Sequence, residues 1–194
     1  MNSLVRDVFV ARDVSSLEFR GAMRALVGGV SIITVGRGND ITGMTVTSVS
    51  SLSVEPATLI VSVNRSSSSW PLLEKHRVFG VNMPSADQVG IAERFAGKGG
   101  VKGGDRFTGA EWETRVTGVP LLKGALATID CEVEEFIERH SHVIVIGRVL
   151  DSRVALTGAG LSYWHGEYVA IDRDEDARKL ADVSLPSLRG LREI

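Results

Sequence analysis

The sequence lacks paired cysteines, long apolar runs and an excess of one charge. Cys131 is the single cysteine among 194 residues, which rules out an internal disulfide bond and favours a reducing compartment. No segment approaches the roughly 20 apolar residues needed to span a bilayer. Basic and acidic side chains number 22 and 24, for a net charge of −2, so the composition predicts no nucleic-acid partner and no attraction to an anionic membrane.

The N-terminal residues do not follow the pattern of a secretory signal. Arg6, Asp7, Arg12 and Asp13 interrupt every apolar stretch there, so no continuous hydrophobic region forms. Together with the single cysteine, this pattern predicts a cytoplasmic protein.

Small residues are abundant instead. The chain contains 21 glycines, and serine and threonine are concentrated between Thr42 and Ser69. Glycine lets a backbone approach a ligand closely, and short hydroxyl side chains offer a donor and acceptors. Hydrophobic residues make up 43% of the chain, which is enough for the core of one ordinary domain.

Short apolar, β-branched segments indicate a fold that is mainly β. Capping-box patterns starting at Ser15 and Ser85 predict helices that end near Gly28 and Phe95, and a short helix is predicted to begin at Trp70. The helix after every strand that marks a Rossmann fold is missing, so we expect an antiparallel β-barrel with peripheral α-helices. Strands are predicted at residues 30–35, 41–51, 58–63, 77–83, 125–136 and 142–150, with two more in residues 161–171.

The predicted strand 125–136 alternates most clearly. Ile129, Cys131 and Val133 fall on one face, which predicts that Cys131 is a core residue and not a nucleophile. This period of two is typical of a strand with one face in the core and the other in water. The polar face comprises Thr128, Asp130, Glu132 and Glu134.

A run of hydroxyl side chains follows the strand 58–63, at residues 64–69. Ser69 is the predicted N-cap of the helix that begins at Trp70, and a helix N-terminus presents free N–H groups to an anion. Arg65 adds a positive charge. The segment predicts either a phosphate-binding loop or a solvated loop that only caps the helix.

Residues 43–51 place hydroxyl groups on both faces of a predicted strand. Burial of such a strand would leave hydroxyl groups without hydrogen-bond partners, unless a polar ligand or a partner chain binds them. The polar edge of a flavin ring would suit them, and an exposed edge strand rich in threonine is the alternative.

Seven segments in a fixed order carry a family resemblance: residues 28–35, 43–56, 61–64, 79–82, 92–96, 120–127 and 147–149. In this order they resemble the flavin reductase family of the FMN-binding split barrel, the reductase components of two-component flavin-dependent monooxygenases. The resemblance covers about residues 19–171. It implies a split barrel at 16–171, an N-terminal extension at 1–15 and a charged tail at 172–194.

The resemblance also implies which residues bind the flavin. The residues expected to line the ring and the ribityl chain are Gly43, Met44, Thr45, Thr47 and Ser48, and those at the end of the neighbouring strand are Ser62, Val63 and Asn64. The phosphate-loop residues are Ser68 and Ser69. The residues expected beside the cofactor are Asn82, Arg94 and Phe95.

One motif departs from the family. Members commonly have Gly-Asp-His shortly before the Gly-Arg-Val strand, with the histidine near the nicotinamide, whereas this chain has His140-Ser141-His142. His142 keeps the histidine and is the expected nicotinamide-positioning residue. Alternate residues of a strand face the same way, so His140 and His142 could instead be metal ligands, although the downstream glutamate of a cupin-like site is absent.

The implied activity is hydride transfer from NADH or NADPH to FMN or FAD. Reduced flavin would then pass to a partner monooxygenase, and two subunits would form a homodimer. Two alternatives remain on the same barrel: a flavin- or haem-binding protein without turnover, and an enzyme similar to a pyridoxine-phosphate oxidase. Lys98 and Lys102, in a glycine-rich loop, are predicted either to attract the nucleotide or to be solvated.

Overall fold

Twelve strands and three α-helices form the computed structural model, which describes residues 13–172 and 175. The helices are α1 (Ser16–Arg24), α2 (Trp70–His76) and α3 (Val89–Phe95). The strands are β1 (Gly28–Gly29), β2 (Ser31–Arg37), β3 (Asp40–Val46), β4 (Ser50–Val54), β5 (Ala57–Asn64), β6 (Val78–Met83), β7 (Trp112–Glu113), β8 (Leu121–Leu122), β9 (Ala127–Arg139), β10 (His142–Val154), β11 (Gly160–Trp164) and β12 (Glu167–Ile171).

Seven strands form an antiparallel sheet in the order β3-β2-β6-β9-β10-β5-β4. The two edge strands, β3 and β4, are joined by only three residues, Thr47, Ser48 and Val49. Because an extended chain advances at most about 3.6 Å per residue, the two edges lie within about 14 Å of each other. The sheet therefore curls into a barrel that is split between β3 and β4, which confirms the predicted fold class.

The interior of the barrel is filled by alternate residues of its strands. Val61 and Val63 of β5 face Val143 and Val145 of β10, and all four side chains are fully buried. Gly147 leaves room for a ring, since a Cβ there would lie 2.3 Å from Cζ of Phe79. The register thus follows the apolar period of two in the sequence.

A smaller sheet of β1, β11 and β12 extends the barrel at one end. β1 leads through Val30 directly into β2, and Ser85 forms an isolated bridge to Gly160. A second apolar cluster beneath this sheet includes the rings of Phe95, Phe107 and Trp112. This cluster fixes α3 and the β11–β12 hairpin beside the end of β3.

Two strand predictions need correction. The predicted strand 41–51 is two strands, because the chain crosses the split at residues 47–49. The polar face of β9 is not fully exposed, because Thr128 and Asp130 are buried. Segment 115–122 covers that face, and Asp130 accepts hydrogen bonds from the backbone N and the Oγ1 of Thr117, the former at 3.0 Å.

The helices begin largely where the capping patterns predict. Glu18 N donates to Ser15 Oγ at 3.2 Å, and Ser15 N donates to Glu18 Oε2 at 3.0 Å. The predicted helix 85–95 is a 3₁₀ turn, Ala86–Gln88, followed by α3. Further 3₁₀ turns, Lys98–Gly100 and Gly103–Phe107, make up the glycine-rich loop.

Among residues 13–172 and 175, no helix is long and apolar enough to cross a membrane. Most of the predicted N-terminal extension and of the predicted tail lies outside this described part, so the domain boundaries stay predictions.

Candidate functional site

A groove of about 800 Å³, here called the main groove, opens at the end of β3. One wall is α3 with the turn that follows it, and the opposite wall is the β11–β12 hairpin. The lining residues are Val30, Thr45, Val46, Thr47, Val89, Glu93, Ala96, Lys98, Tyr163, Gly166, Glu167 and Tyr168.

The main groove combines an aromatic wall with a small number of charges. The rings of Tyr163 and Tyr168 meet edge to face, with centroids 5.1 Å apart, and Lys98 Nζ lies 2.7 Å from Glu93 Oε1. Burial raises the pKa of Tyr168, and nearby Tyr163 and Glu93 raise it further, so its hydroxyl stays protonated at neutral pH. An aromatic wall with few polar groups suits a planar ring that has a polar edge.

A polar band leads from this groove across the split of the barrel. Thr47, at the groove, is followed by Ser48, whose Oγ donates to Ser62 O at 3.0 Å and accepts from Ser62 N at 3.3 Å. Ser62 and Asn64 lie on the same face of β5, the face that points away from the barrel core. The structure thus places Thr45, Thr47, Ser48, Ser62 and Asn64 in one continuous band.

The band ends at the serine loop, residues 64–69. Asn64 Oδ1 accepts hydrogen bonds from Ser66 N and Ser66 Oγ, both at 2.9 Å, which fixes the first turn. Ser67 Oγ and Ser69 Oγ are buried and have no hydrogen-bond partner in the described part of the chain, while Ser68 is exposed. Arg65 forms an exposed ion pair with Glu138 at 2.9 Å.

The N-cap role predicted for the Ser69 side chain is wrong. Ser69 does precede α2, but its backbone is already helical, with φ −86° and ψ −22°, and its hydroxyl makes no capping bond. The helix has only seven residues. Any affinity of this loop for phosphate therefore rests on its hydroxyl and backbone donors.

His142 is the first residue of β10 and pairs directly with Asn64 of β5. Its side chain is exposed, and Nδ1 lies 2.9 Å from Ser141 Oγ. His142 therefore lies beside the serine loop at the far end of the polar band. His140 occupies the β9–β10 turn with φ 51°, so the two histidines do not alternate on one strand, as the metal hypothesis assumed.

Several predicted site residues lie behind the band and not on it. Asn82 is fully buried, and its side chain donates to Ile32 O at 2.9 Å and accepts from Leu122 N at 2.6 Å. A Cβ on Gly43 would lie 2.7 Å from the ring of Phe95, so these two residues pack together. These buried or core-packed residues can only support the site; they are Gly43, Met44, Val63, Asn82 and Phe95.

Arg94 is half-buried on the last turn of α3. Its Nη1 atom is buried and has no hydrogen-bond partner in residues 13–172 and 175, and it lies against Gly109. It approaches the loop that follows the glycine-rich turns and does not line the main groove.

Cys131 is confirmed as a core residue. Its side chain is fully buried, and burial, with a smaller effect of nearby Asp130, raises the pKa of the thiol to about 12. The thiol is therefore protonated and a poor nucleophile at neutral pH.

Comparison with known proteins identifies the family. The model of the flavin reductase like domain matches residues 23–172, which include the main groove and the polar band. The chain belongs to the flavin reductase family. This confirms the resemblance inferred from the ordered motifs.

Individual relatives align with this flavin reductase over most of its length. FMN reductase (NADH) RutF 2 of Rhizobium rhizogenes is 35% identical over 159 residues, 82% of this chain and 91% of that protein. BorF, the flavin reductase component of a bacterial two-component tryptophan halogenase, has a TM-score of 0.75 at 29% identity, covering 82% of this chain and all of BorF. The NADH:FAD oxidoreductase SgcE6 of Streptomyces globisporus, in complex with NAD and FAD fragments, has a TM-score of 0.75 at 26% identity. The match covers 84% of this chain and 99% of SgcE6.

Sequence reasoning missed part of the groove of this flavin reductase. Val89 and Glu93 share one face of α3 at a spacing of four residues, which their periodicity could have revealed. Glu167 gave no signal, because only the packing of the β11–β12 hairpin brings it opposite α3. Tyr163 and Tyr168, which also line the groove, lie in the two strands predicted within residues 161–171.

Proposed function

We propose that this protein is an NADH-dependent flavin reductase that reduces FMN or FAD. The observation that carries the proposal is the polar band of this flavin reductase family member. It joins an aromatic-walled groove to a loop whose Ser67 and Ser69 hydroxyls have no partner within the described part of the chain. RutF 2 of Rhizobium rhizogenes is named an NADH-dependent FMN reductase, and SgcE6 an NADH:FAD oxidoreductase, which supports NADH as the donor.

The serine loop fits the phosphate of a flavin nucleotide. Ser67 Oγ and Ser69 Oγ have no acceptor in the described residues, and a buried donor without an acceptor costs about 1–3 kcal/mol. A phosphate oxygen held by this loop would supply that acceptor. We infer that Asn64 and Ser68 contact the phosphate directly, since both are exposed at the loop surface.

The remaining surface residues of the band would hold the ring and the ribityl chain. We assign this contact to Thr45, Thr47, Ser48 and Ser62, and a supporting role to the buried or half-buried Gly43, Met44, Val63, Asn82, Arg94 and Phe95. Once bound, the two nucleotides supply the redox chemistry themselves, a hydride transfer between their rings. The protein aligns those rings and orients hydrogen-bond donors toward the flavin edge where charge develops.

His142 would position the nicotinamide from the edge of the site. It is exposed beside Asn64 at the end of the polar band, where a second nucleotide has access from solvent. It is a positioning residue in this proposal, and the hydride does not pass through it.

We further propose that the reduced flavin is passed to a separate flavin-dependent monooxygenase and that the chain is a homodimer in the cytoplasm. BorF serves a two-component halogenase, which supports a partner of the oxygenase class. The homodimer is supported by α1, which buries none of its residues and exposes 59% of Phe19 and 75% of Leu17.

The test is steady-state oxidation of NADH and NADPH with FMN or FAD as acceptor, followed by the absorbance of the reduced nucleotide. We expect rapid NADH oxidation that requires added flavin, and slower oxidation of NADPH. Tight flavin binding without NADH oxidation would instead favour the binding protein without turnover, and oxidation of pyridoxine phosphate would favour the other alternative. Either result contradicts the proposal.

A further inference from the structure

The glycine-rich loop, residues 97–107, forms part of the wall of the main groove, to which it contributes Lys98. Within its first turn, Gly100 N donates to Gly97 O at 3.1 Å. Four of its residues have a positive φ: Gly97, Gly99, Gly100 and Gly103. Because glycine loses much conformational entropy when it is ordered, the loop needs an anchor outside itself to hold one shape.

The Arg106 side chain provides such an anchor. Its Nε donates to Val101 O at 3.0 Å, within the loop, and its Nη1 donates to Gly43 O of β3. Gly43 lies two residues before Thr45, which lines the main groove. One guanidinium group therefore joins the middle of the loop to the strand that forms the floor of the groove.

The backbone next to Arg106 is held independently of its side chain. Phe107 is buried against the rings of Phe95 and Trp112, with centroids 5.0 and 4.8 Å away. Its carbonyl oxygen accepts a hydrogen bond from Trp112 Nε1 at 2.9 Å. The C-terminal end of the loop is thus fixed by the aromatic cluster, so loss of the guanidinium group should free residues 97–105 and leave the rest of the fold in place.

Arg106 directs its positive charge at two neutral acceptors. It is half-buried and forms no ion pair with a carboxylate in the part of the chain that the structure describes. Burial lowers the pKa of Arg106, although the guanidinium group stays charged at neutral pH. Hydrogen bonds from a charged donor are stronger than those from a neutral one. The charge also favours an anionic nucleotide in the adjacent polar band.

We propose that Arg106 is a positioning residue for flavin binding. It holds the glycine-rich loop against β3 and thereby keeps Lys98 in the wall that faces the flavin ring. It acts through Val101 and Gly43, since Arg106 itself does not line the main groove. The inference rests on the proposed function, because it takes the main groove as the site of the flavin ring.

Hydrogen exchange of the free protein tests the anchor without any ligand. Arg106→Gln removes the guanidinium group, and Arg37→Gln, at an exposed position of β2, removes the same charge elsewhere. We expect amide exchange in residues 97–105 to quicken about tenfold in Arg106→Gln and to stay unchanged in Arg37→Gln. Unchanged exchange in Arg106→Gln, or an equal rise in both variants, overturns the proposal.

A fluorescence titration with FMN separates positioning from a role in the fold alone. We expect the Kd for FMN to rise about tenfold in Arg106→Gln and about threefold in Arg106→Lys, which keeps the charge but lacks the planar pair of donors. Faster loop exchange with unchanged FMN affinity overturns the proposal, and so does an Arg106→Lys variant that binds FMN as tightly as the parent protein. If Arg106→Gln does not fold, Arg106→Lys takes its place in both experiments.

Steady-state kinetics separate this inference from the proposed function. At saturating FMN we expect the kcat of Arg106→Gln to stay within about twofold of the parent value while the KM for FMN rises about tenfold. A fall in kcat with an unchanged KM overturns the positioning role. A parent protein that binds FMN without oxidising NADH contradicts the proposed function, and the exchange and titration results still decide this inference. A parent protein that binds no FMN overturns it.

Discussion

Two polar regions of the molecule differ in how completely their side chains are paired. The buried polar cluster, Thr34, Asn82, Thr117 and Asp130, holds segment 117–122 against the sheet, and its members all have hydrogen-bond partners. In the serine loop, Ser67 Oγ and Ser69 Oγ are buried and have no partner among the residues that the structure describes. Since an unpaired buried group costs stability, the contrast supports the proposal that the cluster serves the fold and the loop serves a ligand.

Removal of Asp130 tests the structural side of this contrast most strongly. Asp130→Ala leaves both donors of Thr117 without an acceptor in a fully buried site. We expect the free energy of unfolding to fall by about 3 kcal/mol, measured by urea denaturation. Glu134→Ala, an exposed position of the same strand, is the control and should change stability by less than about 0.5 kcal/mol. Equal losses in the two variants would contradict the assignment.

A substitution at Gly80 disturbs the same cluster from the backbone. A Cβ there would lie 2.5 Å from Thr34 Oγ1, which donates to Pro120 O at 2.5 Å. We expect Gly80→Ala to lower the free energy of unfolding by about 2 kcal/mol because the added methyl group overpacks the site. Gly90→Ala, where the new methyl group meets nothing within 4 Å, should be neutral or stabilising because alanine favours the helix.

Substitutions in the serine loop should weaken ligand binding without loss of stability, unlike those in the buried polar cluster. Ser67→Ala/Ser69→Ala removes two buried hydroxyls that contact no partner in the described residues, so we expect the free energy of unfolding to stay the same or to rise. The affinity for FMN should fall about tenfold, equivalent to 1.4 kcal/mol, in a fluorescence titration. A large loss of stability with unchanged FMN affinity would reverse the comparison.

The smallest expected effect comes from Glu138, which pairs with Arg65 at the edge of the loop. Both side chains are largely exposed, so Glu138→Gln should alter stability by less than about 0.5 kcal/mol. It frees Arg65 for an anion and removes a nearby negative charge. We therefore expect FMN to bind about twofold more tightly at low salt, with the difference lost at high salt. Weaker binding would show that the carboxylate positions Arg65.

The sequence predicted local strands and motifs well, but it did not predict features that depend on packing between distant segments. Apolar periodicity predicted β2, β5, β6 and the core of β9. The ordered motifs grouped Thr47, Ser48 and Asn64, which the structure brings into one polar band, and their role in binding stays a prediction. The burial of Asp130 could not be predicted, because a strand face that alternates with charge looks solvated until a distant loop covers it. The break at residues 47–49 was missed because crossing between sheet edges depends on how the whole sheet curls.

The position of β9 and β10 at the centre of the sheet has a consequence for folding. β2, β3 and β6 pair on one side of this hairpin and β4 and β5 on the other, so strands made early join through strands made late. Contacts this distant in sequence make folding slow, and the pairing of β6 with β9 and of β5 with β10 is complete only after residue 148 has emerged from the ribosome. A nascent chain that ends before β9 therefore contains every predicted flavin-binding residue and still has no site in which to bind flavin.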